Sequence, residues 1–146
     1  MVDRATRPPH ISDGDALAAL RVALDGLAQR QRAIANNIAN ADTPNFKASE
    51  VRFEDRLAAA LQRRAGGLPL QRTAAAHLPA APERVADVRP VEEIIHSLTY
   101  RNDGNNVDVD AQMSALAETQ LRFAAAGQAL NGRLSDLRTI ITEGRR

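Results

Sequence analysis

Three histidines, His10, His77 and His96, are the first residues in this chain that could bind a metal or move a proton. They stand in unrelated contexts with no second histidine at ligand spacing, whereas zinc or acid–base chemistry needs several such groups converging. His10 follows two prolines and reads as solvated, and His96, at helical reach of Glu92 and Glu93, reads as a surface contact. The densest set of oxygens is DGNNVDVD, residues 103 to 110, where Asp103, Asn105, Asp108 and Asp110 suggest a calcium loop at a glance. The pattern fails in detail: the glycine comes second rather than sixth, Val107 takes an odd position, and Ser114 stands where the bidentate glutamate belongs. A tight turn at Asp103-Gly104 leading into a helix capped by Asp108 fits better. No phosphate-cradling glycine loop, nucleophile elbow or metalloprotease pattern occurs, and there is no cysteine. These residues argue against an enzyme, a cofactor, a metal site and a small-molecule substrate.

Arg30, Arg32, Arg63 and Arg64 alternate with acids and lack interleaved aromatics, and 19 basic residues nearly balance 18 acidic ones. A solvated face is expected there, and no nucleic-acid partner. At 146 residues the chain suits one domain. With no Trp, one Tyr and abundant alanine it has few large side chains for a thick core, which favours long, narrow helix packing. The first residues, MVDRATRPPHISDGD, carry charges and two prolines where a cleaved signal peptide would need an apolar run. Nothing reaches the roughly 18 apolar residues of a membrane span.

The elements that position these residues are two long helices. Leu17, Leu20, Leu24, Leu27, Gln31, Ile34 and Ile38 alternate spacings of three and four, as do Val109, Met113, Leu116, Gln120, Phe123, Gly127, Leu130, Leu134 and Leu137. This is the heptad seam of helices that pack along their length. Ser12 and Asp108 are the expected caps, and Gly144 with Arg145 and Arg146 suits a carboxyl end. The resulting expectation is a mainly α fold: a flexible terminus at 1–11, a coiled-coil helix at 12–42, an irregular middle at 43–107 and a second coiled-coil helix at 108–146. The two helices pack as an antiparallel coiled-coil hairpin. Pairing residues whose numbers sum to about 151 sets Ile38 by Met113, Gln31 by Gln120, Leu27 by Phe123 and Leu24 over Gly127. Such a thin hairpin is marginal without neighbours. In the middle, VRFEDRLAAALQRRAGG predicts a short helix with Phe53, Leu57 and Leu61 on one face, and four prolines within residues 68–90 predict extended or loop chain. VEEIIHSLTYRN fits a short helix or strand, with helix favoured at its start.

On a helical wheel Asn36 and Asn40 point away from the first seam and Asn37 lies at its flank. Asparagine is a poor helix former, so these amides are expected to meet the main chain of a neighbouring molecule, with Ala35 and Ala39 leaving room for it. Thr43, Pro44, Asn45 and Phe46 then end the helix in a turn that needs a positive φ at Asn45.

These stretches carry a resemblance. ANNIANADTPNFKA is similar to the amino-terminal signature of bacterial flagellar rod and hook proteins, with Asn45 where that family usually has glycine. DGNNVDVDAQM, followed by LAETQLRFAAAGQALNGRLSDLRTII, resembles the carboxyl-terminal part of the proximal rod members. The resemblance implies a structural subunit, polymerised through its end helices into the drive shaft of the flagellum. It also implies a periplasmic rod location in the basal body and export by the flagellar type III apparatus without a cleaved signal. Implied partners are copies of itself, other rod proteins, the proximal rod adaptor and the inner-membrane ring, through an interface of Ala35, Asn36, Asn37, Asn40, Thr43, Pro44, Asn45, Phe46, Asp103, Gly104, Asn106 and Asp108. A reading from another class is a soluble helical adaptor or secretion chaperone that binds partner helices through the same heptads.

Overall fold

The structure is a computed structural model and describes residues 13–66, 84–96 and 102–143. Its elements are α1 (Asp13–Ala39), β1 (Ser49–Arg52), α2 (Glu54–Gly66), a 3-10 turn (Val85–Asp87), β2 (Val91–Ile94) and α3 (Val109–Glu143). The chain is mainly helical, with a long helix towards each end and a two-stranded sheet between them. The proposed cap Ser12, the carboxyl-terminal Gly144 to Arg146, His10, His77 and most of the proline-rich segment lie outside the described residues.

α1 packs through two adjacent stripes. The expected seam is one of them: Leu27 and Ile34 are buried, while Leu17, Leu20, Leu24, Gln31 and Ile38 are half-buried. The second is made mostly of small residues, Ala19, Ala23, Gly26, Arg30, Ala33 and Asn37, again spaced four and three. Small side chains let other elements approach the helix backbone, and the ring of Phe53 lies directly on Gly26. Three thin clusters result. Val22, Ala60, Val85 and Val88 join α1 to α2 and the 3-10 turn, with Leu57 and Leu61 packed on them. Leu27, Ala33, Val51 and Phe53 join α1 to β1, and Ala126 of α3 packs against this group. Ala41, Ala48 and Val107 fill the space beyond the end of α1, beside Phe46 and Ile95.

The middle segment departs from expectation at one point. Val91–Ile94 is a strand rather than the start of a helix, paired antiparallel to β1 with Ser49 opposite Ile94 and Arg52 opposite Val91. Pairing with β1 decides a four-residue stretch whose local preference is weak. The short helix that follows β1 agrees with its sequence: α2 starts after Phe53, and Leu57 and Leu61 lie on its packed face.

α3 starts as its sequence suggests. The Asp108 carboxylate accepts from the Ala111 N–H at 3.1 Å, and the Asp108 carbonyl accepts from the Gln112 N–H at 2.9 Å, which caps the helix. Its face towards the rest of the chain differs from the expected one. Gln112 accepts from Asn37, Thr119 is buried, and Ala126 joins the Leu27 cluster. This face runs Gln112, Ala115, Thr119, Arg122 and Ala126, one residue to the side of the anticipated stripe. Met113 is 52% exposed, and Val109, Gln120, Phe123, Leu134 and Leu137 are also exposed, with Leu116 and Leu130 half-buried. The register that sets Gln31 by Gln120 and Leu24 over Gly127 is therefore corrected: Gln120 faces solvent, and a Cβ at Gly127 would meet only open space. Small residues allow close approach of α3, and the Thr119 hydroxyl is satisfied by the Ala115 carbonyl of its own helix at 2.7 Å. Among the described residues no helix is long and apolar enough to cross a membrane.

Candidate functional site

The two polar segments singled out by sequence lie against each other. After Ala39 the main chain makes short-range bonds, Ala41 N–H to Ile38 O at 3.2 Å, Thr43 N–H to Asn40 O at 3.0 Å and Phe46 N–H to Thr43 O at 3.3 Å, and its carbonyls have room for a further donor. Asn105 supplies it. Its fully buried amide nitrogen lies 3.0 Å from the Asn40 carbonyl, 3.0 Å from Ala41 and 2.9 Å from Thr43, and donates among them. Its oxygen accepts from the Val107 N–H at 2.7 Å, while Asp103 accepts from the Asn105 N–H at 3.1 Å.

Asn37 and Asn106 act on the sheet in the same manner. The Asn37 side chain accepts from the Ser49 N–H at 2.9 Å and donates to the Ser49 carbonyl at 2.8 Å, as a neighbouring strand would. It also donates to Gln112 at 3.0 Å, so one amide joins α1, β1 and α3. Asn106 accepts from the Ala48 N–H and donates to the Ile95 carbonyl, both at 2.7 Å, completing the rung where the two strands part. The turn between the segments is fixed by Pro44 and by Asn45 at φ 60°, the positive value expected there. Asn45 N–H donates to the Asp103 carbonyl at 2.9 Å, and Lys47 Nζ to the Gly104 carbonyl at 2.6 Å.

These contacts divide the expected interface residues. Asn37 and Asn106 are buried inside the chain, which corrects the expectation that all of the asparagines look outward. Ala35, Asn36, Thr43, Pro44, Asn45 and Asp108 are exposed, Asn40, Asp103 and Gly104 are half-exposed, and Phe46 is half-buried. Asn36 and Asn40 bond to each other on the surface, Nδ2 of Asn40 lying 3.0 Å from Oδ1 of Asn36. Asn105 escapes the sequence reading because there it stands only as a calcium ligand. The available signal is its place just after the Asp103-Gly104 turn and two residues before the apolar Val107.

A second polar node lies about two turns earlier on α1 than Asn37. Arg30, expected on a solvated face, has a side chain only 17% exposed. It donates to the Val51 carbonyl at 2.8 and 3.2 Å, pairs with Glu54 at 2.6 Å and stacks 5.1 Å from the Phe53 ring centre. Arg122 of α3 reaches the same carboxylate at 3.6 Å and also pairs with Glu118. Partial burial pushes the Glu54 carboxyl up, but the Arg30 hydrogen bond, the backbone N–H groups of Glu54 and Phe53 and the Arg30 charge outweigh it. Its pKa lies below the ordinary 4.5. A carboxylate with a depressed folded-state pKa stabilises the fold above its unfolded value and loses that contribution as pH falls through the folded one. Glu54 stays in contact with water, so the loss is expected to be about 1 kcal/mol or less. Melting temperatures measured between pH 7 and pH 3 should fall less steeply for Glu54→Gln than for the unchanged chain; parallel curves would exclude this role.

Between the outer face of this sheet, α1 and α3 runs an open groove of about 800 Å³, lined by both signs of charge. Among the described residues no group of three or more His, Asp or Glu could hold a metal ion. What the site does is hold together main chain that is far apart in sequence; its amides are positioned for binding backbone rather than for reaction.

A family model described as flagella basal body rod protein matches residues 17–47, which span the seam of α1 and the turn at Pro44. Flagellar basal body rod protein FlgB of Bacillus subtilis is 35% identical over 118 residues, 80% of this chain and 84% of that protein. The protein of that name from Borreliella burgdorferi is 40% identical over 68% of this chain and 76% of its own length. The one from Escherichia coli K12 is 32% identical over 87% of this chain and 95% of its own.

Proposed function

This chain belongs to the family of flagellar basal body rod protein FlgB, structural subunits of the basal-body rod, and from that premise we propose how its helices build the assembly. α1 and α3 form an antiparallel pair: Asn37 near the end of α1 meets Gln112 near the start of α3, and Ala126, further along α3, joins the cluster around Leu27. The division that goes with it is a flexible terminus at 1–11, coiled-coil helices at 12–42 and 108–146, and an irregular middle region at 43–107. The role is mechanical rather than enzymatic, in a periplasmic rod reached by type III export without a cleaved signal. Neighbours are copies of this chain, other rod subunits, the proximal rod adaptor and the inner-membrane ring.

The observation that carries this reading is the end of α3. Residues 131–143 are exposed throughout, yet they include Leu134, Leu137, Ile140 and Ile141, the last two 66% and 67% exposed. Covering what is bare of four such side chains contributes about 1 kcal/mol or somewhat more apiece. That is too little to hold two molecules together against the cost of association, so each subunit needs several helical neighbours at once, as a rod provides. Replacing Leu134 and Leu137 by glutamate should abolish motility in cells lacking their own copy, with synthesis and amide protection around Asn105 unchanged. Normal swarming of that strain would sink the reading.

A further inference from the structure

Among the described residues, β2 has one paired edge and one open edge. The Ile95 N–H donates to the Ala48 carbonyl at 2.8 Å, directly opposite in the register, so Val91, Glu93 and Ile95 turn their main-chain groups towards β1. Alternation then turns those of Glu92 and Ile94 outward. On β1 three of the equivalent outward groups are engaged, since Asn37 brackets Ser49 and Arg30 holds the Val51 carbonyl. On β2 all four residues are exposed.

The side chains around this edge are unbalanced. On one face Glu50 stands directly opposite Glu93, a like-charge rung that destabilises a sheet, and Arg52 reaches Glu93 only at 3.9 Å. On the other face Ser49 is buried, but Ile94 opposite it is 58% exposed, because α1 covers β1 and not β2. Glu92 on that face accepts from Ser49 Oγ at 2.7 Å and is exposed.

We infer that β2 is a strand-addition site for an extended segment of a different protein chain that reads apolar, basic, basic, apolar. The incoming main chain bonds to Glu92 and Ile94; its two basic side chains lie beside Glu93 and Glu92, one on each face, and its apolar ends cover Val91 and Ile94. A second copy of β2 fits poorly, since antiparallel self-pairing through Glu92 and Ile94 sets Glu93 directly against Glu93. This site is separate from the helix contacts proposed above and stands or falls without them.

A synthetic peptide with a Val-Lys-Lys-Val core, titrated into the full chain, tests the inference by residue-resolved amide exchange. At saturation the amides of Glu92 and Ile94 should exchange at least about tenfold more slowly, and glutamate in place of both lysines should weaken binding about tenfold or more. Methylating the peptide nitrogens on the pairing edge should weaken it as strongly, as should Glu93→Lys, which removes the Glu50–Glu93 repulsion and so folds. Unchanged exchange at those two amides, or equal binding by the methylated peptide, overturns the proposal. Protection of the same amides by concentrating the chain without peptide also overturns it, in favour of a second copy.

Discussion

Asn105→Ala should cost about 3 to 5 kcal/mol, most of the stability of so thinly packed a chain. The substitution removes an amide that serves the carbonyls of Asn40, Ala41 and Thr43 and the Val107 N–H; Asn40 and Thr43 keep the N–H groups of Thr43 and Phe46, so the cost falls on the Ala41 carbonyl and the Val107 N–H. A single lost hydrogen bond is worth about 1 kcal/mol net, but a buried group left without a partner costs about 1 to 3 kcal/mol. Water enters poorly because Asn105 is fully buried beside Ala41 and Val107. The damage should spread in a stated direction: the end of α1 frays, Asn37 loses its fixed position, and the Ser49 main chain is released. Urea unfolding gives the magnitude, and amide exchange at Ser49 and Val107 gives the direction. Asn36→Ala, which removes only the surface bond from Asn40 to its side chain, should stay within about 0.5 kcal/mol and serves as control. A loss at Asn105 below about 1 kcal/mol would mean that water replaces the amide and that the junction is not held from this residue.

The long helices, the Asp108 cap, α2 and the turn at Asn45 follow from periodicity and local chemistry, so they are open to reading from residues alone. The faces of the helices are not. Each helix carries two neighbouring heptad stripes, one large and apolar, one small, and hydrophobicity draws attention to the large one. Close packing inside this chain uses much of the small one: Gly26 under Phe53, Ala33 and Asn37 on α1, and Ala115, Thr119 and Ala126 on α3. Met113, Leu134 and Leu137 are left outside for that reason. The asparagines mislead on similar grounds, since a polar residue at the flank of a seam reads as surface unless its partner is known. The partner of Asn37 is the main chain of Ser49, twelve residues on, and that of Asn105 is the end of a helix more than sixty residues earlier. Single-residue patterns carry no information about such pairings, whereas continuing the small stripe through Arg30 would place that residue inside.

The small stripe makes its own demand at Gly26. A Cβ there would fall 2.5 Å from Phe53 Cδ1 and 2.7 Å from Cγ and Cε1, closer than carbon atoms approach. In an exposed helix Gly→Ala would gain about 1 kcal/mol from propensity. Here the ring must move, and it is hemmed in: Phe53 is 3% exposed, packed with Leu27, Ala33 and Val51, with the Arg30 guanidinium over its face. Overpacking of this kind costs about 1 to 3 kcal/mol or more, so Gly26→Ala should lose about 2 kcal/mol net. In a Phe53→Ala background Cγ and the ring are both gone and the sign of the Gly26→Ala effect should reverse, with the added methyl recovering up to about 1 kcal/mol of helix propensity. The coupling between the two sites is therefore expected to be about 3 kcal/mol, at the upper end of what contacting residues show. Urea titration of the four proteins in the cycle measures it. Additive effects would mean that the helix and strand separate freely at this point; strong coupling would make Gly26 the residue that lets Phe53 sit low enough for Arg30 to reach both Val51 and Glu54, and through Glu54 the Arg122 side chain of α3.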